Sequence, residues 1–500
     1  MTIKLENIQG NIFGGFNKDF QDFLFLKVKD KVKARKWITE NSKELISTSK
    51  KVLAFNNAFK SLVASGIEKP ESIISARWAN IAFSAKGLQT LGFTTADHGT
   101  LPAEFNAGMS GRASAIGDVG TSAPSTWDAP FDPANLPSIH AVLLVAADHE
   151  VDLNEHVGTV TASADFKAGF EVLDTVIGRT RVDNVGHEHF GFKDGVSQPG
   201  IRGINRPDDP LANPDQGHPG QDLLWPGEFV LGYHTQISVE KLGHDGPNPD
   251  PGPISTAGNA AWTKDGSFLV FRRLEQNVPA FHSQLGSLAA ANNVTVDVMG
   301  AKLVGRYKSG CPIEALSMQS QPPAISPTDP GLANLALADS DALNNAYEFG
   351  DDTDGARCPL SAHIRKTYPR DEETGHGRDS ESNTQTHRLL RRGIPYGASF
   401  GADQGGKATD KRGLLFLAYQ KDIKGQFEFV QSAWVNDPKF PPEGNATAHV
   451  PGQDPIIAQS ASGLFELVPG NTGITASHFV KTSGGEYFFA PSLETLETKF

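Results

Sequence analysis

The amino-acid sequence predicts an α+β protein made of two ferredoxin-like domains, each an antiparallel sheet with helices. Three observations carry this. The first half reads strand, helix, strand, strand, helix, strand; the second half returns to that order around a longer insertion; and a Pro/Asp/Gly-rich connector, Asn205–Gly227, separates them. The expected division is 1–205 and 206–500.

In the first half, Phe23–Val28 is a dense apolar run flanked by charge, which reads as a buried strand. Asp30 is placed to cap a helix over Lys31–Ile46, with Val32, Trp37, Ile38 and Leu45 as its inner face. Ala76–Phe83 reads as the second strand, after which Ser84 caps a short helix that Gly92 closes. Residues 93–137, rich in Gly, Ser, Ala, Asp and Pro, read as an irregular excursion. A buried strand at Ile139–Ala146, a helix over 150–165 and an extended run at Phe170–Ile177 complete the unit.

The second half opens with a strand at Ser267–Leu274, and Pro279 begins a helix that reaches Ala290. Gly413–Tyr419 is a further strand, and Phe427, Val430 and Trp434 fall on one helical face. Residues 296–400 are too long for a plain connection and are expected to carry function.

Composition narrows the classes of activity. Across 500 residues, 45 basic and 58 acidic side chains give a net charge of −13, which argues against nucleic-acid or anionic-membrane partners. No apolar run is long enough for a membrane helix. The two cysteines, Cys311 and Cys358, each precede a proline and exclude a disulfide framework or a cysteine-based metal site. The N-terminus MTIKLENIQGNIF has no apolar signal core, while Asn293-Val-Thr and Asn445-Ala-Thr match the glycosylation sequon. The expectation is a secreted protein in mature form, with an intracellular one as the alternative.

The stretch Gly186–Gly200, GHEHFGFKDGVSQPG, concentrates chemistry on a shaped loop punctuated by four glycines. Asp194 follows the apolar Phe190 and Phe192, which suits a general acid/base tuned by burial; equally, it suits an Asx-turn that caps its own backbone. His187 and His189 flank the same loop as a candidate metal pair or as its scaffold. Farther on, His363 sits in CPLSAHIRK, and Arg391 and Arg392 lie in RRGIPYG, whose Gly/Pro frame can hold a guanidinium inward. The acidic run Tyr347–Asp354 (YEFGDDTD) offers Glu348, Asp352 and Asp354 as hard oxygen donors, although such runs are ordinarily solvated loops.

Taken together, GFKDG at Gly191–Gly195, SAHIRKT at Ser361–Thr367 and RRGIPYG at Arg391–Gly397 resemble the dye-decolorizing peroxidases, in particular the fungal type. IQGNI at Ile8–Ile12, GRYKSG at Gly305–Gly310 and GQDPII at Gly452–Ile457 support this, and the motifs keep the family's order to about residue 460. The resemblance implies one b-type haem per chain in the C-terminal domain, with its iron bound by His363. It also implies that Asp454 accepts a hydrogen bond from that imidazole and that Arg365 contacts a haem propionate. Asp194 and Arg391 match the residues that handle hydrogen peroxide, with Leu414 and Phe416 walling their side of the pocket. Tyr396 and Trp434 resemble positions proposed to relay electrons from bulky donors, the other reading of Trp434 being a core residue of its helix.

The activity so implied is peroxide-driven, one-electron oxidation of dyes and phenolic, lignin-like aromatics, with Mn²⁺ as a further candidate reductant at Glu348, Asp352 and Asp354. Two other readings compete. One is a haem-handling protein on the same fold that binds haem through His363 without reacting rapidly with peroxide. The other is a non-haem hydrolase with a metal on His187, His189 and Asp194.

Overall fold

The computed structural model describes residues 2–98, 101–211, 213–239, 248–258, 260–314, 325–374, 380–401, 406–442, 450–459, 464–465, 474–475 and 478–500. In the first half, β1 (Phe20–Val28) leads into α1 (Lys31–Leu45), whose first turn is capped by Asp30 accepting from the N–H groups of Val32 and Lys33. α2 (Ser49–Ala64), absent from the sequence reading, follows; then come β2 (Arg77–Phe83), β3 (Ala141–Ala147), α3 (Glu150–Thr161) and β4 (Phe170–Arg179). On α1, Trp37 and Ile38 are buried as expected, but Val32 is 72 % exposed and Ala34 takes the inward position. The inner stripe is therefore narrower than the apolar residues suggest.

The second half runs β5 (Ser267–Gln276), α4 (Val278–Ala291), α5 (Val296–Val304), α6 (His363–Thr367), β6 (Leu390–Arg391), β7 (Ile394–Tyr396) and β8 (Gly413–Gln420). After β8 the chain winds into two π-helical stretches, Ile423–Glu428 and Val430–Val435, and it returns as β9 (Val480–Ala490). Phe427, Val430 and Trp434 are all buried, so the shared apolar face exists, on a wider helix than the expected α.

The nine strands form one sheet in the order β4-β1-β3-β2-β9-β5-β8-β6, with β7 also paired to β8. Each half keeps its own ferredoxin-like order, and all pairings are antiparallel. The halves join where β2 meets β9, at Phe83 opposite Phe489. On the far side β4 comes against β7, where a Cβ at Gly178 would lie 2.5 Å from Ile394. The sheet thereby curls toward closure, and Phe23, Phe25, Phe271 and Phe488 from both halves meet in one core. The two units share one core, with buried residues of both halves in a single cluster.

The IQGNI segment stitches this seam. The side-chain amide of Gln9 donates to the carbonyls of Ile81 and Pro491, both at 2.8 Å, and accepts from the N–H of Ile81 at 2.9 Å. It thus satisfies backbone groups on β2 and just beyond β9 at once. Arg392 donates to the carbonyls of Asn11, Ile12 and Phe13, at the carbonyl end of the buried helical turn Gly10–Phe13. Gln9→Ala leaves three buried backbone groups without that partner, so unfolding free energy is expected to fall by about 3 kcal/mol. A urea titration checks this: the midpoint should drop with an unchanged slope.

Candidate active site

Three segments converge: the Gly186–Gly200 loop from the first half, and α6 and β6 from the second. His363 opens α6, and the basic residues that follow pin that short helix. Lys366 donates its Nζ protons to the carbonyls of Asp437 and Phe440, and Arg365 is locked on the other side. The His363 Nδ1–H donates to Asp454 Oδ2 at 2.8 Å. Asp454 is itself held, since its Oδ1 accepts from the N–H groups of Ile456 and Ile457 and its own N–H donates to the Val435 carbonyl. Burial opposes the charged imidazole, but Asp454 outweighs burial through its charge and hydrogen bond, so the pKa of His363 lies above the usual histidine range.

That same imidazole feels two more groups: the guanidinium of Arg391 lowers its pKa and the carboxylate of Asp194 raises it. The fold therefore brings together residues 169 and 197 positions apart from Asp194 along the chain, namely His363 and Arg391. Arg391 Nη1 lies 3.7 Å from Asp194 Oδ1, and its Nη2 donates to the Ser197 carbonyl at 2.7 Å. On β8, Ala418 is the register partner of Arg391, so Leu414 and Phe416, at two-residue spacing, share its face and are half-buried there.

The aromatic walls expected around Asp194 are elsewhere. Phe190 and Phe192 turn into a cluster with Phe281, and the Asp194 side chain keeps 38 % of its surface exposed. Gly195 takes φ +71°, and its N–H points back to Asp194 Oδ1 at 2.6 Å. The aspartate thus caps its own turn and faces Arg391 at the same time. Glu188, which the sequence did not single out, anchors this loop: its carboxylate accepts from the N–H groups of Phe190 and Phe192 and from Gln276 on β5. Burial raises the pKa of Glu188, and these bonds oppose the rise.

His187 and His189 do not converge on a metal. His187 Nδ1 pairs with the Val185 carbonyl and His189 Nε2 with the Tyr396 carbonyl, and burial lowers the pKa of His189 to about 4. His189 is a neutral strut between the loop and β7.

Three expectations need correction. Arg365 is fully buried, and its donors are committed: Nε and Nη2 to Glu372, Nη1 to Asp352 Oδ2 and the Cys358 carbonyl, and Nη2 also to the Asp352 carbonyl. No N–H remains for a propionate, and the residue is a structural tie. Asp352 cannot serve manganese, because it is buried with Oδ1 on the Arg357 N–H and Oδ2 on Cys358 N–H and Arg365. Glu348 has its pKa raised by burial to about 8, and Asp354 lies exposed, accepting from the Ala356 N–H. Among the described residues no three His, Cys, Asp or Glu side chains gather to hold a metal ion. Trp434, third, is not a surface aromatic: it is 2 % exposed, stacked on Phe440 and edge-on to His387 and Phe429. Tyr396 is half-buried, and none of the seven tyrosines and six tryptophans is exposed.

The donor set has a definite chemistry. An imidazole whose Nδ1–H is fixed on a buried carboxylate presents the Nε2 lone pair to a metal and makes it more basic. Protein leaves 27 % of the His363 side chain uncovered, and among the described residues Nε2 has no hydrogen-bond partner. A single imidazole without further protein ligands among the described residues suits an iron whose remaining ligands would come from a porphyrin.

Comparison with known proteins points the same way. Residues 7–182 match the family described as DyP dimeric alpha+beta barrel domain, and residues 331–441 match the one described as Dyp-type peroxidase, C-terminal. Peroxidase 2 of Mycetinis scorodonius is 32 % identical over 99 % of this chain and 87 % of its own length. A dye-decolorizing peroxidase of Auricularia auricula-judae is 30 % identical over 99 % of this chain and 86 % of its own. Among solved structures, an ancestral D-type dye-decolorizing peroxidase aligns with a TM-score of 0.77 at 31 % identity, covering 100 % of this chain and 99 % of that one.

If Arg365 is a structural tie, its loss must be felt without any cofactor. Arg365→Met strands Glu372 and Asp352 in the interior and is expected to cost about 3–5 kcal/mol. Thermal unfolding of the haem-free protein checks it, since a residue serving only a propionate would leave that midpoint unchanged.

Proposed function

The chain belongs to the dye-decolorizing peroxidase family and is a peroxidase, and on that premise we propose that it works with one b-type haem held by His363. The carrying observation is that the His363–Asp454 pair and the Asp194–Arg391 pair come within electrostatic reach of each other. Haem, when bound, supplies the iron at which peroxide is reduced and from which one-electron donors are oxidised. Asp454 keeps the Nδ1 proton in place, fixing the tautomer and turning Nε2 toward the metal. Asp194, with Oδ1 occupied by the Gly195 N–H, has Oδ2 to take a proton from one peroxide oxygen and return it to the other. Arg391 supplies a fixed positive charge beside the oxygen on which negative charge develops. Leu414 and Phe416 keep this face apolar and limit water.

A haem-handling role would need only His363 and Asp454. The additional Asp194–Arg391 pair, assembled from two distant parts of the chain, favours peroxide chemistry. For reductants the support is narrower. The relatives are named for dyes, and one similar protein is described in complex with 2,6-dimethoxyphenol. We read dyes and phenolic aromatics as the substrates here too, with Tyr396 as the relay residue, because it joins the distal loop through His189 and keeps part of its surface accessible.

Two measurements test the core of this. Asp194→Asn is expected to slow the spectral reaction of the haem protein with one equivalent of peroxide by about 10²–10⁴-fold while leaving the haem content intact. His363→Ala should abolish stoichiometric haem binding. An Asp194→Asn protein that reacts at the normal rate would refute the assignment.

We also read the protein as secreted. Asn293, in one of the two sequons, lies exposed with φ +52° just past α4; Asn445 lies outside the described residues. Protein from its native host should shift in mass on treatment with a peptide N-glycosidase, and Asn293→Gln should remove part of that shift. An unglycosylated native protein recovered from cell extract alone would contradict secretion.

A further inference from the structure

Resting on the reading that Asp194 and Arg391 act together on peroxide, we propose that Gln198 is the positioning residue that sets their mutual geometry by clamping the Asp194 loop to the strand carrying Arg391. β6 lies at the end of the sheet order and pairs with β8 along one side only, with Ala418 opposite Arg391. The N–H and C=O of Arg391 therefore face outward, where a further strand would ordinarily pair with them. One side chain replaces that strand. Gln198 Oε1 accepts from the Arg391 N–H at 3.3 Å, and Gln198 Nε2 donates to the Arg391 carbonyl at 3.1 Å.

A third contact joins the same two segments, because Arg391 Nη2 donates to the carbonyl of Ser197. Backbone and guanidinium of Arg391 are thus both referred to residues 197 and 198. What remains of the guanidinium is the Nη1 edge, and that edge looks at Asp194. The loop side is fixed as well, since the Gln198 carbonyl accepts from Gln221 Nε2 and Pro199 behind it is buried. Asp194 itself is partly exposed and 3.7 Å from Arg391; its carboxylate accepts from the Gly195 N–H, and its backbone N–H donates to the Gly186 carbonyl at 3.0 Å. Gly186 and Glu188 hold the loop ahead of Asp194, and the short path from 194 to 198 ties it to Arg391 itself. An error of about 1 Å between two groups that share a reacting molecule costs about 10²-fold in rate, so this path matters.

The amide of Gln198 uses one donor and one acceptor, and this permits a specific test with Gln198→Glu. A protonated carboxyl group reproduces both bonds; an ionised one retains the acceptor and loses the donor to the Arg391 carbonyl. In the haem-loaded protein, the peroxide reaction of Gln198→Glu relative to wild type should be near unity at pH 4 and fall about 10- to 100-fold by pH 7. Gln198→Ala should be slow at both pH values. Cyanide binding to the ferric protein, read from the absorption spectrum, supplies a measure other than turnover: its affinity should fall in Gln198→Ala and, at pH 7, in Gln198→Glu. Oxidation of a one-electron donor after the peroxide step should be unchanged, and so should haem content.

Wild-type rates and cyanide affinities in both variants across that range would overturn the clamp while leaving the peroxidase reading intact. A Gln198→Glu deficit independent of pH would overturn it as well, because a purely steric or structural defect has no reason to follow the carboxyl proton. A wild-type haem protein inert to peroxide would overturn the functional reading, and the clamp's role with it.

Discussion

The arrangement depends on one constraint: neither unit can bury its apolar sheet face alone. Each face finds its cover in the other, through Phe23 and Phe25 against Phe271 and Phe488. Once the faces meet, the sheet edges must follow, β2 to β9 and β4 to β7. This closure brings a loop from the first half alongside β6 of the second. Core formation thus brings the Asp194 loop beside β6, and local hydrogen bonds then set how the two side chains face each other.

Within the motifs, holding and acting are divided between neighbours. Along SAHIRKT, His363 presents a nitrogen while Arg365 and Lys366 anchor the turn that carries it. In RRGIPYG, Arg391 faces Asp194 while Arg392 caps the helical turn at the N-terminus; burial lowers the pKa of Arg392 to about 10. In HEHFGFKDG, Asp194 faces Arg391 while Glu188 and His189 brace the loop. Adjacent identical residue types therefore have different fates, and which arginine of a pair turns inward is decided by tertiary partners that local sequence does not contain.

That explains what the sequence disclosed and what it hid. Strands read well where the apolar run was continuous, as at Ala141–Ala147 and Gly413–Gln420. Val480–Ala490 escaped because VKTSGGEYFFA mixes glycines and charge into a strand whose fit depends on neighbours from both halves. The π-helical turn kept its buried face but not its winding, which no periodicity encodes. At the site, family motifs picked out His363, Asp454, Asp194 and Arg391, which the fold brings near one another, whereas Arg365, assigned to a propionate, has its N–H groups on Glu372, Asp352 and Cys358. A guanidinium in a motif looks the same whether its partner is a ligand or a buried Glu372 seven residues on. The acidic run failed for the same reason, since Asp352 is consumed by Arg365.

The covering of the aromatic side chains bears on how long such a molecule survives its own chemistry. Were phenoxyl radicals among its products, they would attack accessible phenols, and two protein-borne ones would couple only where ring carbons meet. Five tyrosines here are buried and the other two, Tyr368 and Tyr396, are half-covered. Tyr368 is further enclosed between the guanidinium of Arg388, 3.7 Å above its ring, and Asp222, which takes its hydroxyl proton in a hydrogen bond. The surface therefore offers radicals little to graft onto, and two colliding molecules cannot readily join through dityrosine. Should such radicals form, the packing leaves them few phenolic rings to reach.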